Sequence, residues 1–241
     1  MLNKKIAFAL MVVLGLVAAC KKSTTFDGAK IEVETNFRLG RVSTYTYNSD
    51  GTLNTISDNI GNRTLVDYST GTALLTNYSS TGAVVSAISY QLNSANYADT
   101  AQGQYQLQNY RYTYTYDGNG QLTQQNTYTG GALSSVATYS ISNKNVTQLN
   151  TSNAAGTSHS YDYYAYDASN TNSTGLQNHG YYFLGASSAN VVLADVKINS
   201  NGDTTDIIKY KYHYDGSSRI DTMASYNRNG QLVDSMAYTY F

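Results

Sequence analysis

The 241-residue sequence predicts an all-β protein, an antiparallel meander of repeated β-hairpins whose sheet curls into an open barrel or a sandwich. Three observations carry that reading. Tyrosine, present 25 times, alternates with threonine over long stretches, a pattern suited to a pleated surface with two different faces. Short clusters of Gly, Asn, Ser and Asp separate these stretches, and no segment beyond the first twenty residues shows a 3.6-residue apolar period. A third signal is a repeated spacing, in which a tyrosine is followed six positions later by an aliphatic residue, with a turn between them.

The clearest copy runs from Tyr110 to Leu122. Tyr110, Tyr112, Tyr114 and Tyr116 share parity and line one face of a strand, with Arg111, Thr113 and Thr115 on the other. Gly118, Asn119 and Gly120 fit a three-residue loop, a type I turn closed by glycine in the left-handed region. That loop pairs Asp117 with Gln121 and Tyr116 with Leu122, placing an aromatic opposite an aliphatic. Tyr47 with Leu53, Tyr78 with Val84, Tyr214 with Ile220 and Tyr226 with Leu232 repeat the spacing, and Tyr128 with Leu133 is one residue short.

Taken in order, residues 1–19 read as an export signal, with Lys4 and Lys5 before an apolar run from Ile6 to Ala19. The segment Val17-Ala18-Ala19-Cys20 resembles a bacterial lipobox, which implies lipidation of Cys20, the sole cysteine, and attachment to a membrane through it. Residues 20–30 then form the anchor and tether, and residues 31–241 a single hairpin-repeat domain. Lys21, where an inner-membrane retention signal would carry aspartate, points to the outer membrane. The missing acidic cluster after it points to the periplasmic leaflet rather than the cell surface.

Ile31 to Thr35 is a first strand with Glu32 and Glu34 together on a solvated edge. Arg41–Tyr47 and Thr52–Asp58 make a hairpin, and Thr64–Tyr68, Ala73–Tyr78 and Ala83–Gln91 are further strands. Asn93–Gly103 is polar and reads as a loop. After the central hairpin come Ala137–Ile141 and Asn145–Leu149, joined through Ser142-Asn143-Lys144, then Ser158–Tyr166. Ala168–Asn178 is the longest segment without a strand pattern, the kind of loop that often carries function. Gly180–Leu184 and Val191–Ile198 read as strands. The last block, Asp206–Tyr214, Ser218–Tyr226 and Gln231–Phe241, is the most regular.

The run Tyr114-Thr115-Tyr116-Asp117-Gly118-Asn119-Gly120-Gln121-Leu122 and the run Tyr212-His213-Tyr214-Asp215 resemble the YD-repeat pattern of Rhs-type β-arrays. The whole resembles the uncharacterised DUF4595-type envelope lipoproteins of Gram-negative bacteria, which carry a segment like Leu184–Val191 before their final hairpins. The resemblance implies a hairpin array in the envelope and brings no activity with it.

Chemistry is sparsely signalled. A signal-free chain carries 13 basic against 16 acidic side chains, no footprint for nucleic acid. His159, His179 and His213 are far apart in sequence, and no metal-binding motif or nucleophile elbow is present, so neither a metal nor a cofactor is expected. The chain therefore reads as non-enzymatic, with a hydrolase built on His159, Asp162 and Asp167 as the enzymatic alternative and a ligand-free scaffold as the structural one. The candidate binding surface is the tyrosine stripe, Tyr110, Tyr112, Tyr114 and Tyr116 with Tyr210, Tyr212 and Tyr214, which would stack on a glycan or on an envelope protein partner.

Overall fold

The computed structural model describes residues 29–105 and 108–241. The export signal, Cys20 and most of the tether lie outside the described residues. Sixteen strands follow one another as an antiparallel meander. The first eight are β1 (Ile31–Asn36), β2 (Arg41–Tyr47), β3 (Leu53–Asp58), β4 (Arg63–Ser69), β5 (Thr72–Tyr78), β6 (Val84–Leu92), β7 (Ala98–Tyr105) and β8 (Gln108–Tyr116). The rest are β9 (Leu122–Thr129), β10 (Ala132–Ser142), β11 (Asn145–Asn153), β12 (His159–Thr171), β13 (Asn190–Ile198), β14 (Thr204–Tyr214), β15 (Ile220–Tyr226) and β16 (Leu232–Tyr240). The sheet curls as expected and then closes, because β1 pairs with β16 as well as with β2. Closure leaves no edge strand. The solvated edge expected for Glu32 and Glu34 is therefore absent, and Glu34 points inward.

The repeated spacing has a single geometric cause. Tyr116 pairs with Leu122, and the N–H of Asp117 donates to the carbonyl of Gln121 at 2.9 Å. Gly120 closes the loop at φ +77°, a region that disfavours any side chain. Tyr47–Leu53, Tyr78–Val84, Tyr214–Ile220 and Tyr226–Leu232 pair identically, each beside a β-bulge. The turns are fixed by an Asx oxygen. Oδ1 of Asp117 accepts from the N–H groups of Asn119 and Gln121, as Asp215 does from Ser217 and Arg219, and Asn227 from Asn229 and Gln231.

Tyrosine is used for its hydroxyl as well as its ring. At one end of the barrel Tyr47, Tyr166, Tyr212 and Tyr240 each donate to a carbonyl on the preceding strand, those of Ile31, Val146, Val192 and Ile220, at 2.6–2.7 Å. All four acceptors lie at strand starts or register shifts, where the ladder is interrupted. A buried carbonyl left without a donor there would cost about 1–3 kcal/mol. Phenylalanine would supply the packing and leave the carbonyl bare.

Three strand boundaries differ from expectation. Asn93–Gly103 is not a loop, since β7 begins at Ala98; its alternating polar residues face out while Ala98 and Ala101 are fully buried. Ala168 to Thr171 extends β12. Gly180–Leu184 is no strand, but part of a long connection, 172–189, that turns back over the barrel end and contains a short 3-10 turn at Tyr182–Leu184. No helix among the described residues is long and apolar enough to cross a membrane.

Candidate functional site

Strand register decides which side chains face the interior. Tyr45 and Ile56, Val66 and Leu75, Tyr90 and Ala101, and Tyr112 with Ala101 pair directly and belong to one packed cluster. The tyrosine face therefore lines the inside of the barrel. The opposite face carries Thr44 and Thr46 on β2, Arg111, Thr113 and Thr115 on β8, and Lys209, Lys211 and His213 on β14.

The connection 172–189 plugs one end of this lumen. Phe183, 2% exposed, packs against Tyr68, Tyr90 and Tyr181 with ring centroids 6.1, 4.8 and 6.1 Å away. The plug is tied to the wall around its circumference. The N–H of Ile31 donates to Asn178 and that of Ala186 to Gly120, at 3.0 and 2.7 Å. Buried Gln121 donates to the carbonyl of Ser187 at 3.5 Å, and Ser173 accepts from the N–H of Ile220 at 2.8 Å. Gly185 has φ +90°, and a Cβ there would lie 2.6 Å from the ring of Tyr116. The first described residues of the chain join this same end, since Asn178 also donates to the carbonyl of Ala29.

Towards the other end the lining changes from aromatic to charged. A cavity of about 460 Å³ opens there, reaching from Tyr45 and Glu34 to rim residues Asn62 and Arg63. Arg41 Nε lies 3.2 Å from Asp58 Oδ2, and Nε2 of the plug's His179 lies 3.1 Å from Oε2 of the lining residue Glu34. The Nδ1 of His179 faces the carbonyl of Gly175 at 3.0 Å, so each ring nitrogen has an oxygen within hydrogen-bond reach. Beside this cavity Ile88, Gly103, Tyr110 and Tyr112 line a second one of about 260 Å³. Gly103 is required, because a Cβ there would lie 2.6 Å from the carbonyl of Ala87.

Comparison with known proteins finds its match in shape. The chain resembles a porin-like protein from Bacteroides uniformis, with 20% identity over 90% of this chain and 99% of that one, at a TM-score of 0.66. A porin-like protein from Bacteroides vulgatus matches at 12% identity, 88% and 99% coverage and a TM-score of 0.64. At these identities the likeness is one of fold. No family model and no curated protein matches the chain, so the YD-repeat resemblance rests on its residues alone.

The candidate tyrosines fall on one face, as predicted, and that face is concave. Tyr110, Tyr112, Tyr114 and Tyr116 line one wall, and Tyr210, Tyr212 and Tyr214 another, all partly buried. Burial pushes the hydroxyl pKa of Tyr114, Tyr116 and Tyr212 far above its usual value, so these rings stay neutral donors. Tyr110, nearest the open end, donates to Gln108 at 2.9 Å. The hydrolase alternative is not assembled. His159 faces out, stacked at 6.0 Å on Tyr161, whereas Asp162 faces the lumen and Asp167 is held in its own turn by Ser169 and Asn170. His213 lies on the outer face, as its parity requires, 2.7 Å from Asp221. Reading the sequence missed the plug and the charged half of the lumen. Asp58 and Asp234 look like ordinary turn-flanking residues until the barrel closes.

Proposed function

We propose that this chain is a non-enzymatic, lipid-anchored envelope protein that holds a soluble polar ligand, a glycan, in its lumen. The observation that carries the reading is the concave tyrosine wall, plugged at one end and opening through a 460 Å³ cavity at the other. Aromatic rings beside carboxylate, guanidinium and amide groups suit a sugar, which offers apolar C–H faces and hydroxyl edges. The likeness to porin-like Bacteroides proteins supports an envelope setting. The outer face argues for tethering over spanning, because a membrane barrel needs an apolar outer band where this one carries Thr44, Thr46, Arg111, Thr113, Lys209 and Lys211. Lipidation of Cys20 would place the plugged end, where Ala29 enters, towards the outer membrane's periplasmic leaflet, with the open end facing away.

The test is binding of envelope glycan fragments to the purified protein, compared with Tyr110→Ala and Tyr112→Ala. We expect both variants to lose binding and the outer-face Tyr163→Ala to keep it. A glycan that binds all three equally, or a protein that retains no glycan, removes the reading.

A further inference from the structure

The distribution of charge inside the barrel narrows the ligand. Register turns six carboxylates into the lumen, Glu34, Asp58, Asp162, Asp195, Asp206 and Asp234, against two permanent cations, Arg41 and Lys197. The remaining described charged residues balance, nine acidic and nine basic, so the excess negative charge of the described chain lies inside. Four of the six, Asp58, Asp162, Asp206 and Asp234, lie near the open end of their strands. There Asp162, Lys197 and Asp206 sit directly opposite one another on β12, β13 and β14. Such an arc of carboxylates, running from β12 through β16 and β1 to β3 at the entrance, favours cations.

One step deeper is Asp195. It is 8% exposed, and its buried Oδ1 has no hydrogen-bond partner among the described residues. A carboxylate oxygen in that state is costly without a donor. It pairs across the strands with Tyr164 and stands close enough to Tyr210 to disfavour ionisation of both hydroxyls. No cluster of three or more His, Cys, Asp or Glu among the described residues has the geometry to hold a metal ion. An organic donor of matching charge suits the position instead. An ammonium group supplies both charge and N–H bonds, and the faces of neighbouring tyrosines suit it as well.

We infer that the lumen selects ligands carrying an ammonium group, and that this group seats against Asp195 beside Tyr164 and Tyr210. The inference rests on the lumen being a binding site and adds the charge of what it takes. Lys197, across from Asp162 and Asp206, acts as the competing internal cation, so its removal strengthens binding.

Calorimetric titration of the purified full-length chain with 1,4-diaminobutane, and with 1,4-butanediol as its neutral counterpart, tests this. The diamine is expected to bind and the diol not, with affinity falling as salt is raised. Asp195→Asn keeps the shape and removes the charge, and should weaken the diamine at least about tenfold, given the strength of a partly buried ion pair. Lys197→Met should tighten it, and Asp221→Asn on the outer face should change nothing. Equal affinity in Asp195→Asn, or indifference to the diamine, overturns the inference. If glycans still bind through Tyr110 and Tyr112 while the diamine is ignored, the lumen reading stands and only its charge preference falls. If neither binds, both fall.

Discussion

Truncating the plug's anchor is the sharpest test of how the barrel end is closed. Phe183 is the largest of the fully buried side chains among the described residues, and three aromatic rings surround it within 6.1 Å. Phe183→Ala removes that ring and leaves a cavity between the plug and the wall, a change that costs about 3–5 kcal/mol in a packed core. Edge-to-face contacts with Tyr68 and Tyr181, worth about 0.5–1.5 kcal/mol each, are part of that total. Because the plug is a single connection held by scattered hydrogen bonds, the loss should fall on local opening. Three kcal/mol corresponds to about a hundredfold in the opening equilibrium. Hydrogen exchange of the Ala186 and Tyr181 amides should therefore accelerate by about that factor, with the amides of β9 and β10 unchanged. Leu176→Ala, in the same connection but 37% exposed, should shift neither. Exchange unchanged by Phe183→Ala, or a global loss under about 1 kcal/mol with the plug still protected, would show that the ring does not seat the plug.

Four further outcomes follow from the same contacts. Tyr240→Phe should destabilise by about 1–2 kcal/mol in urea denaturation, because the carbonyl of Ile220 loses its donor, while Tyr163→Phe should be near neutral. Gly185→Ala should lower the melting temperature, since its φ of +90° and the Tyr116 ring 2.6 Å from the added Cβ both oppose it, and Gly216→Ala, with open space around it, should not. On the acid side, backbone N–H bonds from Gln121 and Arg219 hold the carboxyls of Asp117 and Asp215 below their usual range. Their stabilisation is present above about pH 4 and disappears as pH falls through the lowered values, so Asp117→Asn with Asp215→Asn should flatten the acid limb of the stability profile. On the alkaline side, burial pushes Tyr90 and Tyr181 up to about 12. Folding then retains its full advantage below pH 10 and loses it as pH climbs through 12, visible as late tyrosinate absorbance accompanied by unfolding.

Local structure was legible in the sequence because each hairpin carries its own instructions. Alternation set the faces, glycine and Asx set the turns, and the six-residue spacing set the Tyr116–Leu122 register. What no hairpin contains is its end of the barrel. Leu53 and Ile220 are fully buried against the plug, whereas Val84 and Leu232, in the same repeat position at the open end, are each 60% exposed. Burial here depends on which end a turn occupies, a property of the closed sheet. The plug was hidden for a related reason. Segment 172–189 is held by carbonyls, amides and one phenylalanine, none of which produces a periodic pattern. Tyr166, Tyr212 and Tyr240 did leave a trace, each following its acceptor by twenty residues, but that interval has meaning only once the preceding strand is known to lie alongside.

Tyrosine is what allows one wall to serve two environments. At the plugged end the ring needs burial and the hydroxyl needs an acceptor, and Tyr47, Tyr166, Tyr212 and Tyr240 find both. At the open end the ring is half-exposed, and Tyr110 remains compatible because its hydroxyl donates to Gln108. Phenylalanine would suit the first half alone and serine the second alone. Strands running the whole length of a lumen that grades from dry to charged therefore favour a residue with both properties. Negative charge held inside, with a balanced exterior, is what the proposed cationic guest would meet on that graded wall.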